Sequence, residues 1–316
     1  MTVYILRRLL LLFPVLLIVG IIVFTLIHLT PGDPASVMLG REATQEQKDA
    51  LRERLGLNDP FHIQFVEWFG NALRLDFGES IFLNQPVTDA LIDRVQPTGL
   101  LTLYSLTLAL LIAIPAGVIA AVKRNSLIDR LFMVMSISGA AIPSFFLGIL
   151  CILLFAVILG WLPSGGYTDI GDDPVEHFKY MILPTFTLGF SAAGLLARLV
   201  RSTMLDVLNE DYVRTAYAKG LPNRRVIFLH ALRNAMIPIM TVIGFTLAGM
   251  LGGSIVIETV FNLPGMGRLL VQSVTRRDFP VIQGAVMTIA AIEVLVMLLI
   301  DVLYVYVDPR VRYGSD

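Results

Sequence analysis

The chain has 316 residues, 56% of them hydrophobic and only 16% charged, with a formal net charge of −1 and a mean hydropathy of +0.76. Soluble domains carry about 25% charged residues, so this composition excludes an ordinary soluble protein, and so high an apolar content excludes a disordered one. Sixteen prolines and 25 glycines exclude one long coiled coil, a single cysteine (Cys151) excludes an intrachain disulfide or a cysteine-based zinc site, and the near-neutral total points to no nucleic-acid partner.

The chain therefore reads as an all-α integral membrane protein. A helix needs roughly 20 mostly apolar residues to cross about 30 Å of hydrocarbon. Six stretches qualify: Leu9–Thr30, Thr98–Val122, Leu131–Leu159, Met181–Ala197, Met236–Ile257 and Gly284–Val307. The first follows Arg7 and Arg8, but it is too long for a cleavable signal core and no small-x-small site follows it, so it reads as a retained anchor. The predicted organisation is an anchor over 1–30, an outer loop over 31–97, a core over 98–307 and a tail over 308–316.

Basic residues set the orientation. The N-terminus, Lys123–Arg130, Arg198–Ala235 and Asp308–Asp316 hold 14 Lys and Arg in 63 residues, against 10 in 114 for Pro31–Pro97, Gly160–Tyr180 and Glu258–Gln283. Both termini are thus expected in the cytoplasm. With acidic residues included, the inner segments sum to +8 and the outer ones to −7. The small total hides a polarised molecule.

Within the long outer loop, Thr44 and Gln47 form a capping-box pattern. Leu51 and Leu55 share a face and Gly56 supplies a stop. Asp59–Pro60 predicts an N-cap followed by proline at the first helical position, and Ile63, Val66, Phe69 and Leu73 recur at helical spacing. Two short amphipathic helices are expected there. Prolines fall inside five spans, at Pro14, Pro115, Pro143, Pro184 and Pro238, where each removes a donor and predicts a kink. Small residues one turn apart, Ala193/Ala197, Ala248/Gly252 and Gly249/Gly253, permit close helix approach. No internal repeat marks an inverted-repeat transporter.

Catalytic patterns are missing. There is no G-x-x-x-x-G-K-[ST] loop to cradle phosphates, no H-E-x-x-H and no G-x-S-x-G elbow. His28, His62, His177 and His230 are scattered singly. Asp76-Phe77-Gly78 spells the kinase magnesium tripeptide without the rest of that machinery. Two carboxylates, Glu293 and Asp301, fall in the last span, where an acidic group marks either a pathway or an interhelix polar contact. A secondary transporter or channel would use them; a membrane enzyme would need a nucleophile–base or metal-ligand cluster that the sequence does not offer.

The informative segment lies between the fourth and fifth spans. Residues 205–219 form a helical stretch with small residues at Thr215, Ala216 and Ala218, Gly220 stops it, and Pro222 restarts a helix running through Val226 to Leu232. Two helices meeting at a glycine corner, small face outward, would make a plug for another protein's groove. An ordinary basic loop on anionic lipid fits the same pattern.

Arg214-Thr215-Ala216, Gly220 and then His230-Ala231-Leu232-Arg233 resemble the EAA coupling motif of ABC importer permeases. Glu210–Ala216 and His230–Ala235 are similar to the dipeptide/oligopeptide/nickel permease family, in its first-permease, DppB-like or GsiC-like, branch. The likeness extends through Leu29–Pro34, Leu55–Pro60, Asp76–Ser80, Gly252-Gly253-Ser254 with Glu258, Pro264–Gly267, Arg277–Val281 and Asp308–Tyr313. Arg214-Thr215 stands where the generic motif has Glu-Ala, and Arg233 where it closes on proline; both departures are typical of the peptide branch.

The resemblance implies a six-helix permease of the type I importer fold in a bacterial inner membrane. It also implies a second homologous permease, two ABC ATPase subunits that bind ATP and magnesium, and a periplasmic solute-binding protein. No cofactor belongs to this chain, and it would not itself be an enzyme. Arg214, Thr215, Ala216, Ala218, Gly220, His230, Leu232 and Arg233 would couple it to an ATPase. Glu258, Glu293 and Asp301 would be pathway or intramembrane polar contacts. Short peptides are the expected substrate, with glutathione or nickel chelates as alternatives.

Overall fold

Apolar runs in lipid must satisfy their backbone internally, and helices do so within one segment. The computed structural model describes residues 2–29, 44–54 and 58–307, and among them the regular structure is helical apart from an isolated antiparallel bridge, Glu79 to Pro86. The helices are α1 (Thr2–Leu29), α2 (Gln45–Arg54), α3 (Phe61–Ala72), α4 (Val87–Val122), α5 (Leu127–Ala141), α6 (Ser144–Ile158), α7 (Pro174–Leu208), α8 (Asp211–Ala218), α9 (Asn223–Val260), α10 (Met266–Arg276) and α11 (Phe279–Val307).

Several helices outrun the predicted spans, because apolarity marks the membrane-compatible part and not the helix end. The 35 residues of α7 extend about 52 Å at 1.5 Å per residue, well beyond a hydrocarbon layer. Its start is chemically defined: the Asp173 carboxylate accepts the N–H groups of Val175 (2.9 Å) and Glu176 (3.1 Å), and Pro174 fills the first helical position.

The predicted third span is not one helix. Between α5 and α6 the axis turns by 100°, with Ile142 (φ −78°, ψ 122°) and Pro143 (φ −57°, ψ 133°) both extended. A residue preceding proline is pushed out of the helical region, so Pro143 breaks the span where a kink was expected. Pro14, Pro115, Pro184 and Pro238 remain inside continuous helices. Among the described residues α4, α7, α9 and α11 are each long and apolar enough to cross a membrane, and the bent pair makes a fifth; the apolar stretch of α1, Leu12–Thr25, is shorter.

The chain forms two compact units, one comprising Pro97–Pro264 and the stretch from Leu295, the other Thr2–Gln96 and Gly265–Val294. In the first, Leu101, Ala109, Met181, Leu196, Ile257 and Phe261 lie in one buried core. Gly194 brings α7 so close to α5 that a Cβ there would sit 2.5 Å from the Ser136 carbonyl. The buried pair Ala193/Ala197 fulfils the small-residue expectation. Gly249 and Gly252 face open space instead.

In the second unit, α3 packs on α1 through an aromatic cluster. Phe24 lies 5.2 Å from Phe61 and 5.5 Å from Phe65, and Phe13 lies 6.1 Å from Phe69, ring centre to ring centre. Of the predicted face Ile63, Val66, Phe69 and Leu73, only Phe69 is buried, because the larger rings of Phe65 and Trp68 gain more from burial and turn the helix toward them. The capping box is present: Thr44 N–H donates to Gln47 Oε1 (3.0 Å) and Gln47 N–H to Thr44 Oγ1 (3.4 Å). Pro60, not Asp59, caps α3, its carbonyl accepting from Ile63 N–H. The side chain of Leu51, with Leu55 and Gly56, lies outside the described residues.

Two sequence segments 198 residues apart meet in this unit. Buried Asp278 accepts the Ser80 hydroxyl at 2.6 Å and the N–H groups of Ile81 and Phe82 at 3.3 Å. One carboxylate thus fixes the Asp76–Ser80 turn onto the Arg277–Val281 segment.

Candidate functional site

The corner after α7 is built from a short helix, a left-handed glycine and a proline-started second helix. α8 ends in a Schellman arrangement: Gly220 N–H bonds Tyr217 O (2.9 Å) and Leu221 N–H reaches Ala216 O (3.4 Å). Gly220 sits at φ +76°, a conformation glycine adopts without the Cβ penalty of other residues. Tyr217 donates its hydroxyl to Asn223 Oδ1 at 2.7 Å, joining the two arms across the corner.

A small core packs the two arms of the corner together. Val213 and Val226 are fully buried, Ala216 is 6% exposed, and Leu208 and Leu221 pack on them. Ala216 therefore does not belong to the outward face expected for it: alanine is small enough for either side, and the Val213–Val226 contact takes it inward. The outward face consists of Tyr212, Arg214, Thr215, Tyr217, Ala218 and Lys219. Arg214 lies 3.4 Å from Asp211 in an exposed pair, and Thr215 Oγ1 donates to Asp211 O at 2.9 Å.

The second arm opens α9 with a widened, π-type turn over Val226–Leu232, a geometry that re-aims side chains within a helix. Val226, Ile227 and Ala231 are buried while His230 and Leu232 are half-buried and Arg233 is exposed. Ile227, Ala231 and Ala235 share a core with Val200 and Met204 of α7 and with Val118 and Ala121 of α4. The corner is thereby anchored to two long helices.

Of the predicted intramembrane carboxylates, Glu258 belongs to the same compact unit as the corner and is not drawn into this site. Glu258, at the far end of α9, is fully buried and accepts the Thr98 hydroxyl at 2.6 Å, an interhelix polar contact. Glu293 is half-buried in α11, and the side chain of Asp301 lies outside the described residues. No group of three or more potential metal ligands occurs among the described residues.

Two polar clusters escaped sequence reasoning. His177 is fully buried, with Nδ1 2.8 Å from Thr168 O and Nε2 3.4 Å from the Tyr104 hydroxyl, its ring edge-on to Tyr104, Tyr167 and Phe178. Burial, with Asp169 nearby, pushes the Tyr167 phenol above its ordinary pKa. The other is a bidentate ion pair, Arg201 Nε to Asp129 Oδ1 at 2.6 Å and Nη2 to Oδ2 at 2.8 Å. Its partners are 72 residues apart, and neither belongs to a recognisable motif.

Comparison with known proteins accounts for this architecture. Residues 113–313 match the family described as binding-protein-dependent transport system inner membrane component, and residues 1–103 match its N-terminal membrane-component family. The chain is 44% identical over 313 residues to a probable peptide ABC transporter permease protein, y4tP, of Sinorhizobium fredii, covering 99% of this chain and 100% of that protein. It is 45% identical over 310 residues to the glutathione transport system permease protein GsiC of Escherichia coli K12, covering 98% and 99%. Among solved structures, an inward-facing MetNI methionine ABC transporter aligns with a TM-score of 0.55 at 20% identity, over 69% of this chain and 96% of that one, a likeness of fold. The chain belongs to the binding-protein-dependent transport system inner membrane components, the membrane-spanning permeases of ABC importers.

Proposed function

We propose that this chain is one half of a translocation pathway for short peptides, completed by a second permease, two ABC ATPases and an extracytoplasmic solute-binding protein. The observation that carries the reading is the corner: a packed, exposed knob, Asp211 to Arg225, anchored at its base to α4 and α7 and presenting Tyr212, Thr215 and Tyr217 outward. The excess of basic residues in the inner segments supports a cytoplasmic position for both termini and this corner, where an ATPase groove would receive it. ATP and magnesium belong to those partners. Arg214, Thr215, Ala218 and Lys219 would touch the groove, whereas Ala216, Gly220, His230 and Leu232 would shape and seat the knob.

ATP-driven closure of the ATPases would move the docked corner and shift the permease pair between two states, each favoured by a different bound partner. Relatives named for peptide and for glutathione transport are equally similar to this chain. Glutathione is itself a tripeptide, so a short-peptide substrate accommodates both names. Cross-linking tests the docking directly. In the assembled complex, Tyr212→Cys in α8 is expected to form a cross-link with an ATPase subunit, with a yield that differs between nucleotide-free and ATP-bound samples; Cys151 is buried and does not compete. Failure of Tyr212→Cys and Thr215→Cys to cross-link, with the complex intact, would remove the knob from the ATPase interface.

A further inference from the structure

The Asp129–Arg201 pair lies where the corner's anchor meets the broken α5–α6 element, and its geometry exceeds what a surface ion pair needs. Asp129 is 3% exposed and stands in the first turn of α5, whose N-cap Ser126 accepts the Asp129 N–H at 3.2 Å. One carboxylate oxygen also takes the Asn125 N–H at 2.9 Å, closing the turn that leads in from α4. Both oxygens receive the guanidinium fork of Arg201, which projects from α7 seven residues before that helix ends at Leu208. Leu208 in turn packs on the corner core. A single carboxylate thus ties the α4–α5 turn, the start of α5 and the corner-bearing end of α7 into one joint. Such a fork fixes orientation as well as distance.

We propose that Asp129 and Arg201 are positioning residues for coupling. Through this joint the displacement of the docked corner passes along α7 to α5, and thence to the 100° break before α6, so that the broken element moves with the ATPase rather than independently of it. The neighbouring seam supports a shared movement: Gly194 of α7 packs on the Ser136 carbonyl of α5, and Gly139 of α5 on Phe190 of α7. These contacts leave no room for sliding without separation. The inference rests on the permease reading given above, and a wild-type complex devoid of ATP-driven uptake would refute that reading rather than this one.

The experiment compares the wild-type complex with Asp129→Asn/Arg201→Gln, which leaves neither charge buried alone, and with Arg201→Lys, which keeps the charge and loses the fork. Uptake and ATP hydrolysis are measured together in proteoliposomes containing the binding protein. The double variant is expected to assemble and hydrolyse ATP while substrate moved per ATP falls about tenfold, a coupling loss in the range typical of linked sites. Arg201→Lys is expected to fall between the two. A wild-type ratio in the assembled double variant overturns the proposal. Failure of both variants to assemble assigns the pair to folding alone and overturns it equally.

Discussion

Replacing Gly220 by proline is expected to leave the chain in the membrane at normal yield while ATP-driven uptake falls to background. The position needs φ +76°, and proline holds φ near −65°. The substitution also deletes the N–H that bonds Tyr217 O at 2.9 Å. It further disfavours Lys219, now at φ −76° and ψ 3°, because the residue before a proline is driven to extended backbone. Proline where φ does not suit it and the N–H is bonded destabilises by more than about 1 kcal/mol, so the turn that forms the corner is strongly disfavoured. The helices that cross the membrane do not depend on it. Uptake by the assembled complex, with stimulation of its ATPase by the binding protein, measures the loss. Asparagine, which tolerates left-handed backbone better than other non-glycine residues, is expected to retain most of the activity at this position, and an equally severe loss with Gly220→Asn would shift the cause away from backbone conformation.

The second large effect is expected at Ala216. Its methyl group sits against Val213 and Val226, with Leu208 and Leu221 around them, in an apolar cluster. Ala216→Glu forces a choice between an uncompensated buried charge, at about 3–5 kcal/mol, and expulsion of α8 from its seat. Expulsion is expected, with loss of ATPase subunits from the purified complex. Thr215→Glu, one residue earlier on the exposed face, carries the same charge without disturbing the small core. It is therefore expected to keep the corner folded and to alter coupling only through the partner contact. Co-purification of the ATPases with each variant separates the two cases; equal retention in both would mean that the Val213–Ala216–Val226 core does not hold the knob in shape.

These contrasts show where sequence is informative. The corner was legible because its chemistry is local: Gly220 and Pro222 punctuate two helical runs, and the structure has the turn they demand. The Thr44–Gln47 box is local in the same sense, and its two hydrogen bonds are present. The face on which Ala216 sits was not legible, since alanine is indifferent to solvent and only Val213 and Val226, ten and more residues apart, decide the matter. Pro143 announced a disturbance but not its size, which depends on neighbours that hold α5 and α6 at 100°. In α3, helical spacing marked Ile63, Val66, Phe69 and Leu73, while competition among aromatic rings for α1 kept Phe69 and brought in Phe65 and Trp68. Pairings such as Asp129 with Arg201 or Ser80 with Asp278 span 72 and 198 residues. Nothing periodic connects such partners, and only tertiary packing brings them together.

The division of labour between this chain and its partners is tested most directly by uptake into proteoliposomes of a labelled short peptide, or of glutathione, presented on the binding protein. The complete complex is predicted to accumulate substrate only with hydrolysable ATP and the binding protein both present, and this chain with its second permease alone to accumulate none. Substrate movement through the permeases without ATPase subunits would contradict the coupling role proposed for the Asp211–Arg225 corner.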